Sequence, residues 1–312
     1  MKLDLEGRRL VIAHNPHSSR SRAVQQSVFD RLDSAGLVYE LIEVRQASLA
    51  DNVARLKSQI HDGDIILSAA GDGSAHAVAH SVIAAAKKGV ELGFLAYGNF
   101  NDLPHAFNSS ATLRDPVAFL EAARSEKVYA LDILVDDKLL RHALLYATFG
   151  WTAQAAAIFG DPKLRGKLTQ GGAGLGKSLS RLGVYYFQSR RSSLLPNFSL
   201  NGITHNAATD LILANGPAVA RVFRTGSRYY RKSKEFRYTV LDVRKLFRNA
   251  PFLLGGLVGR MPTDETSEIK LDFGAPADLP IQCDGEVVKL RGVRSIVVRK
   301  DPKPLNILTT KN

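Results

Sequence analysis

Three short stretches of this sequence combine glycine with a carboxylate in a way that suits phosphate chemistry. Gly71-Asp72-Gly73-Ser74 follows the apolar run Ile65-Ile66-Leu67 and precedes a small-residue segment from Ala75 to Ala86. Glycines let a backbone approach a phosphate closely. The first amides of a helix then aim their N–H groups and the positive end of the dipole at it. Ser74 is placed to cap those amides. Asp72 would repel a bare phosphate, so its presence calls for a divalent cation between the two. A second stretch, Tyr97-Gly98-Asn99-Phe100-Asn101-Asp102, closes another apolar run, and a third, Asp284-Gly285-Glu286, lies late in the chain. Taken singly, each is also what an ordinary turn looks like.

The surrounding elements decide whether these stretches can act together. Ile65 to Ala70 reads as a buried parallel strand, and Glu91 to Ala96 as the next one. Both would end at the same edge of one sheet, the edge at which open parallel sheets bind ligands. Upstream, Leu10 to Ala13 reads as a first strand leading into the polar, basic loop from His14 to Arg22. Val24, Val28 and Leu32 recur at helical spacing and stop near Gly36, Tyr39 to Val44 alternates as a strand, and Leu49 to Ile60 reads as a helix. Alternation of this kind predicts an α/β domain with a doubly wound, Rossmann-like parallel sheet over residues 1–128. The pattern changes near Tyr129. Turn signals at Asp136-Asp137, Asn201-Gly202 and Asp284-Gly285 separate short alternating runs at Thr209 to Leu213, Phe236 to Val243 and Glu268 to Phe273. Residues 129–295 are therefore expected to form a mostly antiparallel β-sandwich, the substrate domain.

The motifs carry a resemblance. Ala70-Gly71-Asp72-Gly73-Ser74 is similar to the Gly-Gly-Asp-Gly-Thr signature of the diacylglycerol kinase catalytic-domain family, lipid kinases that include the sphingosine kinases and have a fold related to that of NAD kinases. Ala96-Tyr97-Gly98-Asn99-Phe100-Asn101-Asp102 resembles its Pro-x-Gly-Thr-x-Asn-Asp signature. Asn15-Pro16 and Asp284-Gly285-Glu286 match its early and late landmarks, in the right order. The resemblance implies an ATP- and Mg²⁺-dependent kinase acting on a lipid hydroxyl, diacylglycerol or a relative. It implies nucleotide binding by Asn15, Gly71, Asp72, Gly73, Ser74, Gly98, Asn99, Asn101 and Asp102, with Arg20 and Arg22 adding charge near the phosphates. Asp72 would act through Mg²⁺, and Glu286 as the base or metal-side carboxylate, so these two are the catalytic and metal candidates. It also implies that residues 296–312, through Leu305 to Leu308, return to the first domain. The sequence departs from the family at Ala70, Ala77, Ala96 and Asn99, and reads Lys234-Glu235 where the family has a catalytic aspartate. Asn215-Gly216 lacks the Gly-rich segment that follows it in the family. The competing readings are a kinase for a soluble acceptor, as in NAD kinases, and an inactive nucleotide- or lipid-binding homologue.

Composition fits this frame. The net charge of +12 implies attraction to something anionic. An acidic membrane surface suits a lipid kinase, so peripheral attachment in the cytoplasm is expected, without a nucleic-acid partner and with homodimerisation left open. Cys283 is the sole cysteine, which rules out an internal disulfide and fits a reducing compartment. The charged segment from Lys2 to Arg9 is unlike a signal peptide, and the most apolar run, Phe252 to Gly259, is too short to span a bilayer. Gly171-Gly172-Ala173-Gly174-Leu175-Gly176-Lys177-Ser178 matches a P-loop letter for letter. The charged, Pro- and Gly-broken residues before it cannot be the buried strand that motif requires, so a basic loop is expected. His76 and His80 stand one helical turn apart without a third ligand and read as a structural pair, and Cys283 as a small buried hydrophobe. The cations Arg221, Arg224, Arg228, Arg231, Lys232, Lys234 and Arg237, with aromatics among them, read as a solvated face, or as one that meets an acidic membrane or RNA, of which the kinase resemblance favours the lipid.

Overall fold

The computed structural model describes residues 5, 7–17, 21–98, 101–160, 195–219, 223–224, 229–241 and 263–311. The chain divides into two compact units, residues 1–130 with 302–312, and residues 131–301.

In the first unit the strands are β1 (Leu10–His14), β2 (Glu40–Glu43), β3 (Ile65–Ala70), β4 (Glu91–Ala96) and β5 (Arg124–Val128). With the C-terminal strand Leu305–Thr309 they form one sheet in the order β2-β1-β3-β4-C-terminal strand-β5. All pairings are parallel except that of the last two. Every residue of β3 is buried, as expected of a strand covered on both faces. Helices α1 (Ser21–Val24) and α2 (Asp30–Ser34), joined by a π-helical segment Gln25–Phe29, follow β1. Val24, Val28 and Leu32 enter the core with Leu67 and Leu95. The expected helix from Leu49 to Ile60 is α3 (Leu49–Leu56), tightening into a 3₁₀ turn at Lys57–Gln59. Its first turn is capped by Ser48, whose side chain accepts the Asp51 N–H. Helix α4 (Asp72–Ala85) follows β3, α5 (Asp102–Phe107) follows β4, and α6 (Pro116–Ala122) precedes β5.

The second unit opens with the hairpin β6 (Leu131–Val135) and β7 (Lys138–Ala143), then β8 (Tyr146–Gly150) and helix α7 (Trp151–Gly160). β9 (Phe198–Leu200) and β10 (Ile203–His205) form a second hairpin, and β11 (Asp210–Ala214) follows. Among the described residues β12 (Ala218–Val219) and β13 (Phe223–Arg224) pair only with each other. β14 (Phe236–Leu241) and β15 (Asp264–Thr266) pair at one edge of the large sheet. The long strands β16 (Glu268–Cys283) and β17 (Glu286–Lys300) make the central hairpin. All pairings in this ten-stranded sheet are antiparallel. Its turns have the expected chemistry: Asp136-Asp137, Asn201-Gly202 and Asp284-Gly285 all take positive φ at both positions, the geometry of tight primed turns. Residues from β6 through β17 share one hydrophobic cluster, so the sheet wraps a single core. Register shifts between Asp272 and Leu279 mark the irregular middle of β16.

Candidate active site

Three loops meet at the C-terminal edge of the first unit's sheet. From β1 the chain moves to β2 on one side, while β3 lies on the other, so the crossover direction switches between β1 and β3. Such switch points leave a crevice at the strand ends. Asn15 follows β1 directly, Gly71 follows β3, and Tyr97 and Gly98 follow β4.

Asp72 ties two of these loops together. Its Oδ2 accepts the backbone N–H of Asn101 at 3.0 Å and its Oδ1 that of Asp102 at 3.1 Å. Asn101 sits in the left-handed region at φ 56°, a conformation that asparagine tolerates better than most residues. Its side chain folds back on the same loop, accepting the Gly98 N–H at 2.5 Å and donating to the Gly98 carbonyl at 2.9 Å. Glycine is required at 98 for packing: a Cβ there would lie 2.9 Å from Gly71 Cα and 2.8 Å from Asp72 Oδ2. The third loop joins through Asn15, whose Nδ2 lies 3.4 Å from Ser74 Oγ. Asn15 Oδ1 also accepts the His17 N–H.

The helix start differs from expectation at one residue. Gly71 is the N-cap of α4, no side chain caps it, and Ser74 is its third residue. Ser74 faces Asn15 instead, because the helix begins at Asp72, earlier than the small-residue run at Ala75. With no side-chain cap, the first amides of a 14-residue helix are presented at the crevice, an arrangement that suits an anion. Beside Asn101 lies a cavity of about 500 Å³ whose walls include Arg31, His105 and Arg114. Arg31 is paired with Asp115, and Arg114 Nε donates to the Ala96 carbonyl at 3.0 Å. The second motif contributes Ala96 and Asn101 to its wall, while the two arginines come from separate segments that no motif marked.

The other candidates fall in the second unit or outside the described residues. Asp284 is 1% exposed, and its carboxylate accepts the N–H groups of Leu144, Leu145 and Tyr146 at 2.6, 2.9 and 3.0 Å. Glu286, at the start of β17, is half-buried. Asn99, Phe100, Arg20, the 171–178 glycine-rich segment with Lys177, the cations Arg221 and Arg228, and the apolar run 252–259 lie outside the described residues. Arg231 departs from the solvated or membrane-facing stretch expected of it: it is 1% exposed, drawn inward by the 3₁₀ turn Tyr229–Lys232 while Lys232 and Lys234 stay exposed. Arg237 pairs with Glu265. His76 and His80 are both buried, with ring centroids 4.4 Å apart. Cys283 is a buried thiol whose pKa is raised, by burial first and by neighbouring Asp284 second. Among the described residues no helix is long and apolar enough to cross a membrane.

Residues 9–135 match the family model of the diacylglycerol kinase catalytic domain. The resemblance therefore holds over the segment that contains Asn15-Pro16 and the first two glycine motifs, while Asp284-Gly285-Glu286 lies beyond the match, and it points to the kinase class. No curated protein matches the chain. Among solved structures, a diacylglycerol kinase from Bacillus anthracis str. Sterne is similar, with a TM-score of 0.66 at 11% identity over 98% of each chain. A second structure from that organism, described as "a putative diacylglycerol kinase", gives 0.65 at 12% identity over 97% of this chain and 98% of the other. At such identities the likeness shows the fold: an α/β unit with a largely parallel sheet, followed by a large antiparallel sheet.

Proposed function

We propose that this chain is an ATP- and Mg²⁺-dependent kinase that transfers the γ-phosphoryl group to a lipid hydroxyl, diacylglycerol or a related lipid. The observation that carries this reading is the double hydrogen bond from the Asn101 and Asp102 amides to Asp72, which brings both glycine-carboxylate loops to one crevice. Phosphoryl transfer asks a protein mainly to hold phosphates, place a cation and align the acceptor. Gly71, Gly73 and the first amides of α4 are proposed to take the phosphates. Asn15, Ser74, Gly98, Asn99, Asn101 and Asp102 complete the nucleotide edge.

Asp72 suits a cation by its chemistry, because a half-buried carboxylate at the crevice is a hard oxygen ligand of the kind Mg²⁺ takes. A bound Mg²⁺ would supply neutralisation of the charge on the phosphates. Glu286, half-buried in the second unit, is proposed to receive the acceptor hydroxyl's proton or to share the metal. The net charge of +12 supports peripheral attachment to an anionic lipid surface.

One observation favours a second reading, a nucleotide- or lipid-binding homologue without turnover. Where the family has its aspartate, Lys234 and Glu235 are exposed, and the Glu235 N–H is taken up by Ser233 Oγ at 3.0 Å. Labelled ATP incubated with the protein, Mg²⁺ and a panel of lipid and soluble acceptors separates the two. Transfer to a lipid that falls about 1,000-fold in Glu286→Gln supports the kinase reading. ATP binding with no transfer to any acceptor supports the second reading, and transfer to a soluble acceptor alone would move the substrate class.

A further inference from the structure

In the second unit three side chains from separate parts of the chain converge. Asp132 on β6 and His142 on β7 are direct cross-strand partners, and His142 Nδ1 lies 2.7 Å from Asp132 Oδ1. Asp301 follows the last residue of β17, whose end pairs with β6 through Lys300 and Leu131. One ligand atom from each of the three lies within 4.8 Å of the others. The group is shielded from water: the His142 and Asp132 side chains are 11% and 13% exposed, and Asp301 is 8% exposed. A dication placed between two carboxylates in a partly dry site is attracted strongly to each of them. A dication beside a neutral imidazole offsets both.

We propose that Asp132, His142 and Asp301 bind one divalent transition-metal ion of the Zn²⁺ or Mn²⁺ class. The donor set decides the class. One imidazole nitrogen with two carboxylate oxygens suits these ions, whereas Mg²⁺ and Ca²⁺ favour oxygen alone. Three protein ligands also leave a position for water. Two of the ligands are paired across one hairpin, and the third stands where the second unit ends. The ion would therefore fasten the β6–β7 hairpin to the end of β17. Two basic side chains stand near in sequence or register. Lys300 directs its Nζ to Asn215 Oδ1, and Arg299, opposite Asp132 in the ladder, is exposed.

The test uses the full chain, stripped with a chelator, dialysed, and titrated calorimetrically with ZnCl₂ and separately with MnCl₂. One ion per chain is expected, with Asp301→Asn and His142→Gln each weakening binding about 100-fold and Glu121→Gln, at an exposed carboxylate of the first unit, leaving it unchanged. Circular dichroism verifies that each variant is folded. If His142→Gln fails to fold, Asp301→Asn decides, since it preserves side-chain shape. Failure of the wild type to bind either ion below about 1 mM, or equal affinity in Asp301→Asn, would overturn the proposal. Neither result depends on whether the protein transfers phosphate.

Discussion

Asp72 and Asp284 each stand beside a glycine, and both accept backbone N–H groups from a segment distant in sequence within their own unit. Asp284 takes three amides and is 1% exposed. Asp72 takes those of Asn101 and Asp102 while remaining half-buried at the start of α4. The same chemical device thus serves two ends. Asp284 clasps the residues entering β8 to the turn between β16 and β17, where no ligand can reach it. Asp72 shapes a crevice and stays partly exposed at it. A glycine-flanked aspartate is a functional candidate only when it stays within reach of a ligand.

The comparison can be broken most easily at Asp284. Asp284→Ala strands three buried amides at once and is expected to cost about 4 kcal/mol, read as a large fall in the urea midpoint. A loss below about 1 kcal/mol would show that the clasp is dispensable. Asp72→Asn keeps one acceptor oxygen but turns an NH₂ toward a backbone N–H. It is expected to cost about 2 kcal/mol in stability and to weaken ATP binding at least tenfold, both measurable on the same preparation. Gly98→Ala pushes a methyl against the Gly71 backbone and is expected to cost about 1–3 kcal/mol with secondary structure retained.

The pH dependence belongs to the second unit. Burial pushes the Asp210 carboxyl up to about 7, so the fold favours its protonated form. The unfolded chain releases that proton near 3.8, and this group's contribution to stability is lost as pH rises from there through about 7. Burial lowers Lys300 to about 7, favouring the uncharged amine, and its contribution grows as pH rises from about 7 towards 10.5. Together they predict a stability minimum near neutrality. Asp210→Asn, which can still accept the Thr152 N–H, should flatten the acid limb of a urea-midpoint profile, and Lys300→Met the alkaline limb. Unchanged slopes would contradict the assignment.

Much of this fold was legible because its signals are local. The Ile65-Ile66-Leu67 run could only be a buried strand, and Asp136-Asp137, Asn201-Gly202 and Asp284-Gly285 announced their turns through backbone chemistry. What was not legible depends on contacts between distant residues. The partners of Asp72 lie two elements downstream, so a motif placed it at the crevice without showing its amide bonds. Ser74 read as a cap because the start of α4 was set three residues too late. Asp132, His142 and Asp301 gave no signal, since only the pairing of β6 with β7 and β17 brings them together.

The central claim is that nucleotide phosphates rest against the Asp72 turn. Equilibrium binding of Mg·ATP to the wild type, Asp72→Asn and Lys177→Ala tests it most directly, with folding checked by circular dichroism. Binding that survives in Lys177→Ala and is lost in folded Asp72→Asn is the predicted result. Binding that persists in Asp72→Asn and disappears in Lys177→Ala would contradict it.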